Sequence, residues 1–381
     1  MLRFLFGLIF SVQLFAAAAQ PSGPPDREWP DGTKYWGALR FGLPNGPGYM
    51  TGTDGRAYQG EFADGKFQGR GWMRLPNGDE YTGGFSAGLF EGEGTMKYAK
   101  PPPGTAAKAS GTWHAGRLED PTARLAALQN VETALYNQRA LLDSAIAALA
   151  PPDKGRINLY FLGVAGDGSQ EVFRREVEFV RGEFDRKFGT RGRSMALINS
   201  RTTVASAPLA THTSLRAALQ AIGARMDREQ DILFLFLTSH GNRQHDFHLN
   251  QNAIALRDLQ PQELARMLAD SGIRWKVVVV AACYSGGFVE PLRSDTTLVI
   301  TAARADRASF GCEDANELTD FGRAYFKESL PGASSFQDAF ARAQKLVDGW
   351  ETQAKEEHSL PQIATAKPIE EQLAKWWKQP R

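Results

Sequence analysis

Val277-Val278-Val279-Val280-Ala281-Ala282-Cys283-Tyr284-Ser285-Gly286-Gly287 is the stretch whose reading decides the fold. Four successive valines are too short a run for a helix and suit a strand covered on both faces, as in a parallel sheet. The run then breaks into two alanines, a cysteine and small residues that permit a tight turn. In open α/β sheets the crevice beyond the carboxyl ends of the strands holds the site, which makes Cys283 a candidate site residue. Taken alone, it reads equally well as a small core side chain, the common place of a free cysteine.

The neighbouring sequence favours the first reading. Residues 157–164, 194–198, 232–237, 276–280 and 297–301 read as strands, and about 170–187, 215–226 and 261–269 as helices between them. This alternation predicts an α/β fold with a mainly parallel sheet over residues 156–350. The third strand runs into Thr238-Ser239-His240-Gly241-Asn242, so two strands of like character deliver His240 and Cys283, 43 residues apart in sequence. Adjacent strands lie about 5 Å apart, within reach of side chains leaving both ends. A cysteine beside a histidine is the minimal nucleophile–base pair. Gly241 adds an unobstructed backbone N–H, a candidate oxyanion donor.

The N-terminal part is built differently. Tyr35, Tyr58 and Tyr81 recur every 23 residues, each opening a similar phrase. The clearest copies are Tyr58-Gln59-Gly60-Glu61-Phe62-Ala63-Asp64-Gly65-Lys66-Phe67-Gln68-Gly69-Arg70-Gly71 and Tyr81-Thr82-Gly83-Gly84-Phe85-Ser86-Ala87-Gly88-Leu89-Phe90-Glu91-Gly92-Glu93-Gly94. Asp54-Gly55 and Asn77-Gly78 precede them, so each unit is expected to be a hairpin with a two-residue turn. A degenerate copy starts near Ala109, with Gly111, Trp113 and Gly116 in register. Units of this period stack on their neighbours to bury an apolar face, giving an all-β array over 31–118. Residues 119–152 read as a linker helix capped by Asp120, with Leu125, Leu128, Val131, Leu135, Leu142, Ile146 and Leu149 forming its apolar stripe and Pro151-Pro152 stopping it. The tail, 351–381, is expected to dock a short helix around 369–377 on the body, with Trp376-Trp377 touching a partner or membrane interface as the alternative.

Composition bounds the rest. The 381-residue chain is 42% apolar and 23% charged, with a formal net charge of +1, which gives no electrostatic support for nucleic-acid binding. Arg3, an apolar run over 4–15 and Ala17-Ala18-Ala19 have the layout of a secretory leader, 1–19, with cleavage expected after Ala19. The chain is therefore expected to be secreted or periplasmic. Only Cys283 and Cys312 would meet that oxidising compartment, either as one bridge or with at least one thiol kept for chemistry. His240, His245 and His248 have no recognised zinc spacing, and Asp167-Gly168 has no phosphate-cradle spacing, so no metal and no cofactor are expected.

Two family resemblances follow from these motifs. The 23-residue phrase resembles MORN repeats, hairpin units associated with scaffolding, protein contacts and lipid contact, which implies a binding or positioning module. The phrases Leu235-Phe236-Leu237-Thr238-Ser239-His240-Gly241 and Val279-Val280-Ala281-Ala282-Cys283-Tyr284-Ser285-Gly286, followed by Thr301-Ala302-Ala303 and Ser309-Phe310-Gly311-Cys312, resemble the legumain-like cysteine peptidases, relatives of caspases and gingipains. The resemblance implies a caspase-like α/β/α sandwich, endopeptidase activity on a protein or peptide substrate, Cys283 as nucleophile and His240 as base and later acid. It also implies an oxyanion site made by the N–H groups of Gly241 and Cys283. The asparagine-cleaving members carry a glutamate where this chain has Ala281, and their acidic pocket residue aligns with Arg323; their pocket arginine aligns with Arg174. A pocket holding Arg174 and Arg323 would favour an acidic substrate residue, whereas Glu313 and Asp314 would favour a basic one. A protease-like scaffold without activity, and acyl transfer to an amine, stay open as alternatives.

Overall fold

The computed structural model describes residues 20–101, 106–114 and 116–379; the leader read over 1–19 lies outside them. The chain divides between Leu125 and Ala126 into two compact units. Among the described residues no helix is long and apolar enough to cross a membrane.

The first unit is one antiparallel sheet of nine strands in sequence order. These are β1 (Arg27–Glu28), β2 (Lys34–Arg40), β3 (Leu43–Thr51), β4 (Ala57–Ala63), β5 (Lys66–Arg74), β6 (Glu80–Ser86), β7 (Leu89–Lys97), β8 (Lys108–His114) and β9 (Arg117–Leu118). The tight turns are not where the Asp-Gly and Asn-Gly pairs suggested. They are Phe41-Gly42, Asp64-Gly65 and Ala87-Gly88, each with positive φ at both positions, as the mirror-image hairpin turn requires. Asp54 and Asn77 instead sit in longer connections, where their side-chain oxygens accept from the backbone N–H of Arg56 (3.0 Å) and Asp79 (3.1 Å).

The period of 23 has a packing cause. Tyr58 stacks on Phe67 of its own hairpin (ring centres 4.1 Å apart) and meets Phe85 of the next edge-on (4.9 Å); Tyr35 meets Phe62 in the same way (5.1 Å). Each tyrosine ring lies across a pair of facing glycines, Gly37–Gly48, Gly60–Gly71 or Gly83–Gly94. A Cβ on Gly94 would fall 2.1 Å from the Tyr81 hydroxyl, and one on Gly60 2.4 Å from that of Tyr58. The glycines make room for the rings, and the hydroxyls of Tyr35, Tyr58 and Tyr81 donate to the carbonyls of Ala38, Glu61 and Gly84. This is the repeat stacking the sequence implies.

Helix α1 (Pro121–Ala147) carries the chain across the division, and the Asp120 carboxylate accepts from the Thr122 N–H at 2.8 Å, as a cap should. Its seating is only half the expected one. Leu142 and Ile146 pack on the second unit and Leu149 is buried, but Leu125, Leu128 and Leu135 are exposed. Over that part the contact runs instead through Ala134, with Asn130 and Gln138 donating to the carbonyls of Arg201 and Val204.

The second unit is a three-layer α/β/α sandwich. Its elements are β10 (Leu159–Ala165), α2 (Glu171–Lys187), β11 (Ser194–Ile198), α3 (His212–Arg225), β12 (Ile232–Thr238), α4 (Pro261–Asp270), β13 (Trp275–Ala281), α5 (Val289–Leu292), β14 (Thr297–Thr301), α6 (Asp320–Gly322) with a π-helical continuation Arg323–Ser329, α7 (Phe336–Ala354), β15 (Gln362–Ala364) and α8 (Lys367–Trp377). The sheet order is β11-β10-β12-β13-β14-β15, parallel except for β15. Every residue of β10, β12 and β14 is buried, which is why these segments read as continuous apolar runs. Alternate residues feed two cores. Phe161, Phe234, Val277 and Ile300 pack with α2, α7 and α8 on one face; Leu162, Leu235, Val278 and Val299 pack with α3 and α4 on the other. The docked tail helix is as expected, with Ile369, Leu373 and Trp376 buried, but β15 was not foreseen, and it makes the tail part of the sheet.

Candidate active site

β12 and β13 are hydrogen-bonded neighbours in parallel register, with Thr238 opposite Ala281. The sheet therefore brings His240 and Cys283, each two residues past its strand, to one carboxyl edge. Backbone contacts pin both exits: the Ser239 N–H donates to the Ala281 carbonyl (3.2 Å), and the His248 N–H to the His240 carbonyl (3.0 Å). Past Cys283 the chain turns through Tyr284, held at φ +57°, into the short turn Ser285–Phe288. A tyrosine in the left-handed region is strained, and such strain persists only where surroundings enforce it. Here the Tyr284 N–H donates to the Arg307 carbonyl (2.7 Å), and the Ala303 N–H to the Ser285 hydroxyl (3.2 Å).

Gly241 touches Cys283 through the backbone. A Cβ at 241 would lie 2.1 Å from the Cys283 carbonyl oxygen and 3.3 Å from the Ala282 side chain. Space excludes any side chain there. The Cys283 sulfur sits against Ser309, whose N–H and hydroxyl donate to it at 3.3 and 3.7 Å and whose carbonyl lies 3.4 Å away. Cys283 and Cys312 are both free thiols, so the bridge reading is not realised. Burial pushes the Cys312 thiol far above its usual range, which makes it inert in place.

His240 is oriented by residues the sequence reading did not find. Its Nε2 lies 2.8 Å from the Gln170 Oε1, at the N-terminal boundary of α2. An amide oxygen only accepts, so Nε2 carries the proton and Nδ1 keeps its lone pair. Phe173, one turn into α2, meets the imidazole edge-on at 5.1 Å. The Asp167 carboxylate, almost fully buried, stands 3.9 Å from Nε2 of both His240 and His248. Burial holds the His240 pKa below its ordinary value, with Asp167 opposing that shift and His248 adding to it. The net shift favours the neutral imidazole. No short-range pattern announces Gln170; a glutamine before a helix carries no chemical signature until the fold places it.

The charged residues proposed for a substrate pocket each have a partner within the fold. Arg174 pairs with Glu171 and Glu178 on its own helix (2.5 and 2.6 Å). Asp314 accepts from Arg201 (2.8 Å) and from the Glu171 N–H (2.7 Å). Glu313 accepts from the Asn316 side chain at 2.7 Å. Arg323 pairs with Glu328 (3.1 Å) over the Trp350 ring. A hollow of about 680 Å³ beside Tyr284 is lined by Arg243, His245, Tyr284, Asp306, Arg307 and Glu357, with Ala305 and Ala308. Behind the site, Glu176 is fully buried and accepts from the Thr319 N–H (2.9 Å) and hydroxyl (2.7 Å). Burial raises its pKa, against hydrogen bonding from Thr238 and Thr319.

Residues 214–371 match the Peptidase C13 family, and residues 37–55, 58–80 and 81–100 match the MORN repeat. Among curated proteins nothing matches the chain. Among solved structures, caspase-1 from Spodoptera frugiperda is similar at 12% identity, over 57% of this chain and 92% of its own, with a TM-score of 0.39.

Proposed function

We propose, from the Peptidase C13 match of the second unit, that the protein is a cysteine endopeptidase acting through Cys283 and His240, with the MORN repeats as a binding or positioning module. The observation that carries this reading is the joint delivery of an oriented imidazole and a thiol by adjacent parallel strands, with Gly241 against the Cys283 carbonyl.

In the proposed reaction the Cys283 thiol passes its proton to Nδ1 of His240 as the sulfur attacks the substrate carbonyl carbon. The resulting oxyanion accepts from the N–H groups of Gly241 and Cys283. The imidazolium returns the proton to the departing amine, whose C–N bond breaks to leave a thioester on Cys283. Water, deprotonated by His240, then attacks the thioester and releases the acid and the thiol. Gln170 fixes the tautomer through this cycle, and the Ser309 N–H gives the sulfur a partner when it is charged.

Labelling with a panel of acyloxymethyl ketone peptides bearing Asn, Asp, Arg or Lys before the warhead tests the reading. Cys283 is expected to be alkylated by at least one probe, with the signal lost in Cys283→Ala and strongly reduced in His240→Ala. Failure of every probe, with a control peptidase labelled in parallel, would leave an inactive scaffold as the better description. Export is proposed on the leader pattern of residues 1–19, and a mature N-terminus at Gln20 is the corresponding measurement.

A further inference from the structure

The hollow beside Cys283 has a charge arrangement that the peptidase reading does not use. Two of its walls come from the catalytic loops themselves. Arg243 and His245 stand on the loop that follows His240, and Tyr284 follows Cys283 directly. The amine that departs from a cleaved peptide must leave past the group that protonates it, so this loop borders the leaving-group side. The His245 Nδ1 donates to the Tyr284 carbonyl (3.1 Å), which fastens the two walls together. A volume of about 680 Å³ is enough to take side chains of a bound peptide.

The anions in the hollow are already matched by arginines. Asp306 is gripped by Arg304 through two contacts, of 2.6 and 2.9 Å, and these hold its carboxyl at about 2. Glu357 pairs with Arg307 at 2.8 Å. Arg243 is the cation left over. No carboxylate among the described residues reaches it, and its guanidinium lies 6.0 Å from the Tyr284 ring centre, parked over an aromatic face. A guanidinium without a carboxylate in a concave site beside a nucleophile is a recognition group for one supplied by the ligand.

We propose that this hollow is a carboxylate-recognising subsite on the leaving-group side of the scissile bond, read by Arg243. The proposal rests on the peptidase reading for its direction, and the carboxylate has two chemical sources, an acidic side chain or the free C-terminus of a short peptide.

The test uses the full chain and one peptide series with Glu, Gln or Lys at the first and second positions after the cleaved bond, each made with a free and an amidated C-terminus. Values of kcat/KM are expected to rank Glu above Gln above Lys, and Arg243→Gln is expected to cut the Glu-over-Gln ratio about fivefold, as for a partly exposed ion pair. Arg243→Glu should turn the preference toward Lys, a reversal that mere loosening of the loop would not produce. The same peptides are titrated by fluorescence anisotropy onto Cys283→Ala, with and without the Arg243 changes, so that binding is read without turnover. Preference for the free terminus over the amide assigns the site to the chain end, and preference for Glu in amidated peptides assigns it to the side chain. Cleavage that ignores charge at every position and terminus would overturn the subsite and leave the peptidase standing. Arg243-dependent binding of acidic peptides without any cleavage would overturn the peptidase and leave the carboxylate site.

Discussion

Replacing Gly241 by alanine probes the contact between the loops that carry His240 and Cys283. The added methyl would sit 2.1 Å from the Cys283 carbonyl oxygen, about 0.9 Å short of the 3.0 Å that real Cβ atoms keep, and the atom it meets is backbone. Rotamer change cannot relieve the clash, so the loops after β12 and β13 must separate by about 0.9 Å. That motion carries Cys283 away from His240 and moves the proposed oxyanion donor. A displacement near 1 Å in a reacting pair costs about 10²-fold in rate, and overpacking of this kind costs about 1–3 kcal/mol of stability. The assay is kcat/KM on a fluorogenic peptide together with the rate of Cys283 alkylation by iodoacetamide, which needs no substrate site, and thermal unfolding. Gly349→Ala in α7 is the control. A Cβ there meets nothing within 4 Å, so a stabilisation of about 0.5–1 kcal/mol with unchanged kinetics is expected. Wild-type kinetics in Gly241→Ala would refute the reasoning, because the methyl would then have been accommodated without moving the site.

Two further outcomes follow from the site. Gln170→Ala should lower kcat about tenfold with little change in KM or Tm, since the imidazole loses the acceptor that holds Nε2–H; Gln170→Glu would set an anion beside the ring, favour the imidazolium and move the acid limb of the rate profile to higher pH. An unmoved acid limb would mean Gln170 does not face the working histidine. The folded Glu176 carboxyl holds its proton more tightly than the unfolded one, which ionises once pH passes its ordinary range, so folding is progressively disfavoured as pH rises from the unfolded pKa toward the raised folded one. Glu176→Gln removes this dependence, and its Tm advantage over the parent should widen as pH rises above about 4, the reference carboxyl pKa; parallel Tm curves would contradict a buried Glu176 with a raised pKa.

What the sequence revealed depended on how local the cause was. The five long strands and α2, α3 and α4 were legible because burial on two faces and the helical stripe are written into neighbouring residues. The repeat was legible because one tyrosine ring demands two glycines at fixed offsets. The convergence of His240 and Cys283 on one sheet edge was legible because each closely follows an apolar strand run. The pairing of Arg174 with Glu171 and Glu178, three before and four after it, was legible at helical spacing. The partnership of Arg201 with Asp314, 113 residues apart, had no such signal, nor did the approach of Gln170 to His240 across 70 residues. β15 escaped because three residues, none fully buried, carry no period, and only the β14 edge makes them a strand.

That short strand has an effect beyond closing the sheet. An open β14 edge would offer a row of unpaired backbone groups to any extended chain. Residues 355–364 fill it as a strap entered through Lys355 and passing Leu360, both in the left-handed region at φ +60° and +54°. Glu357, which neutralises Arg307 in the hollow beside Cys283, rides on the same strap. Lifting the strap would bare the strand edge and unbalance the hollow's charge in one motion.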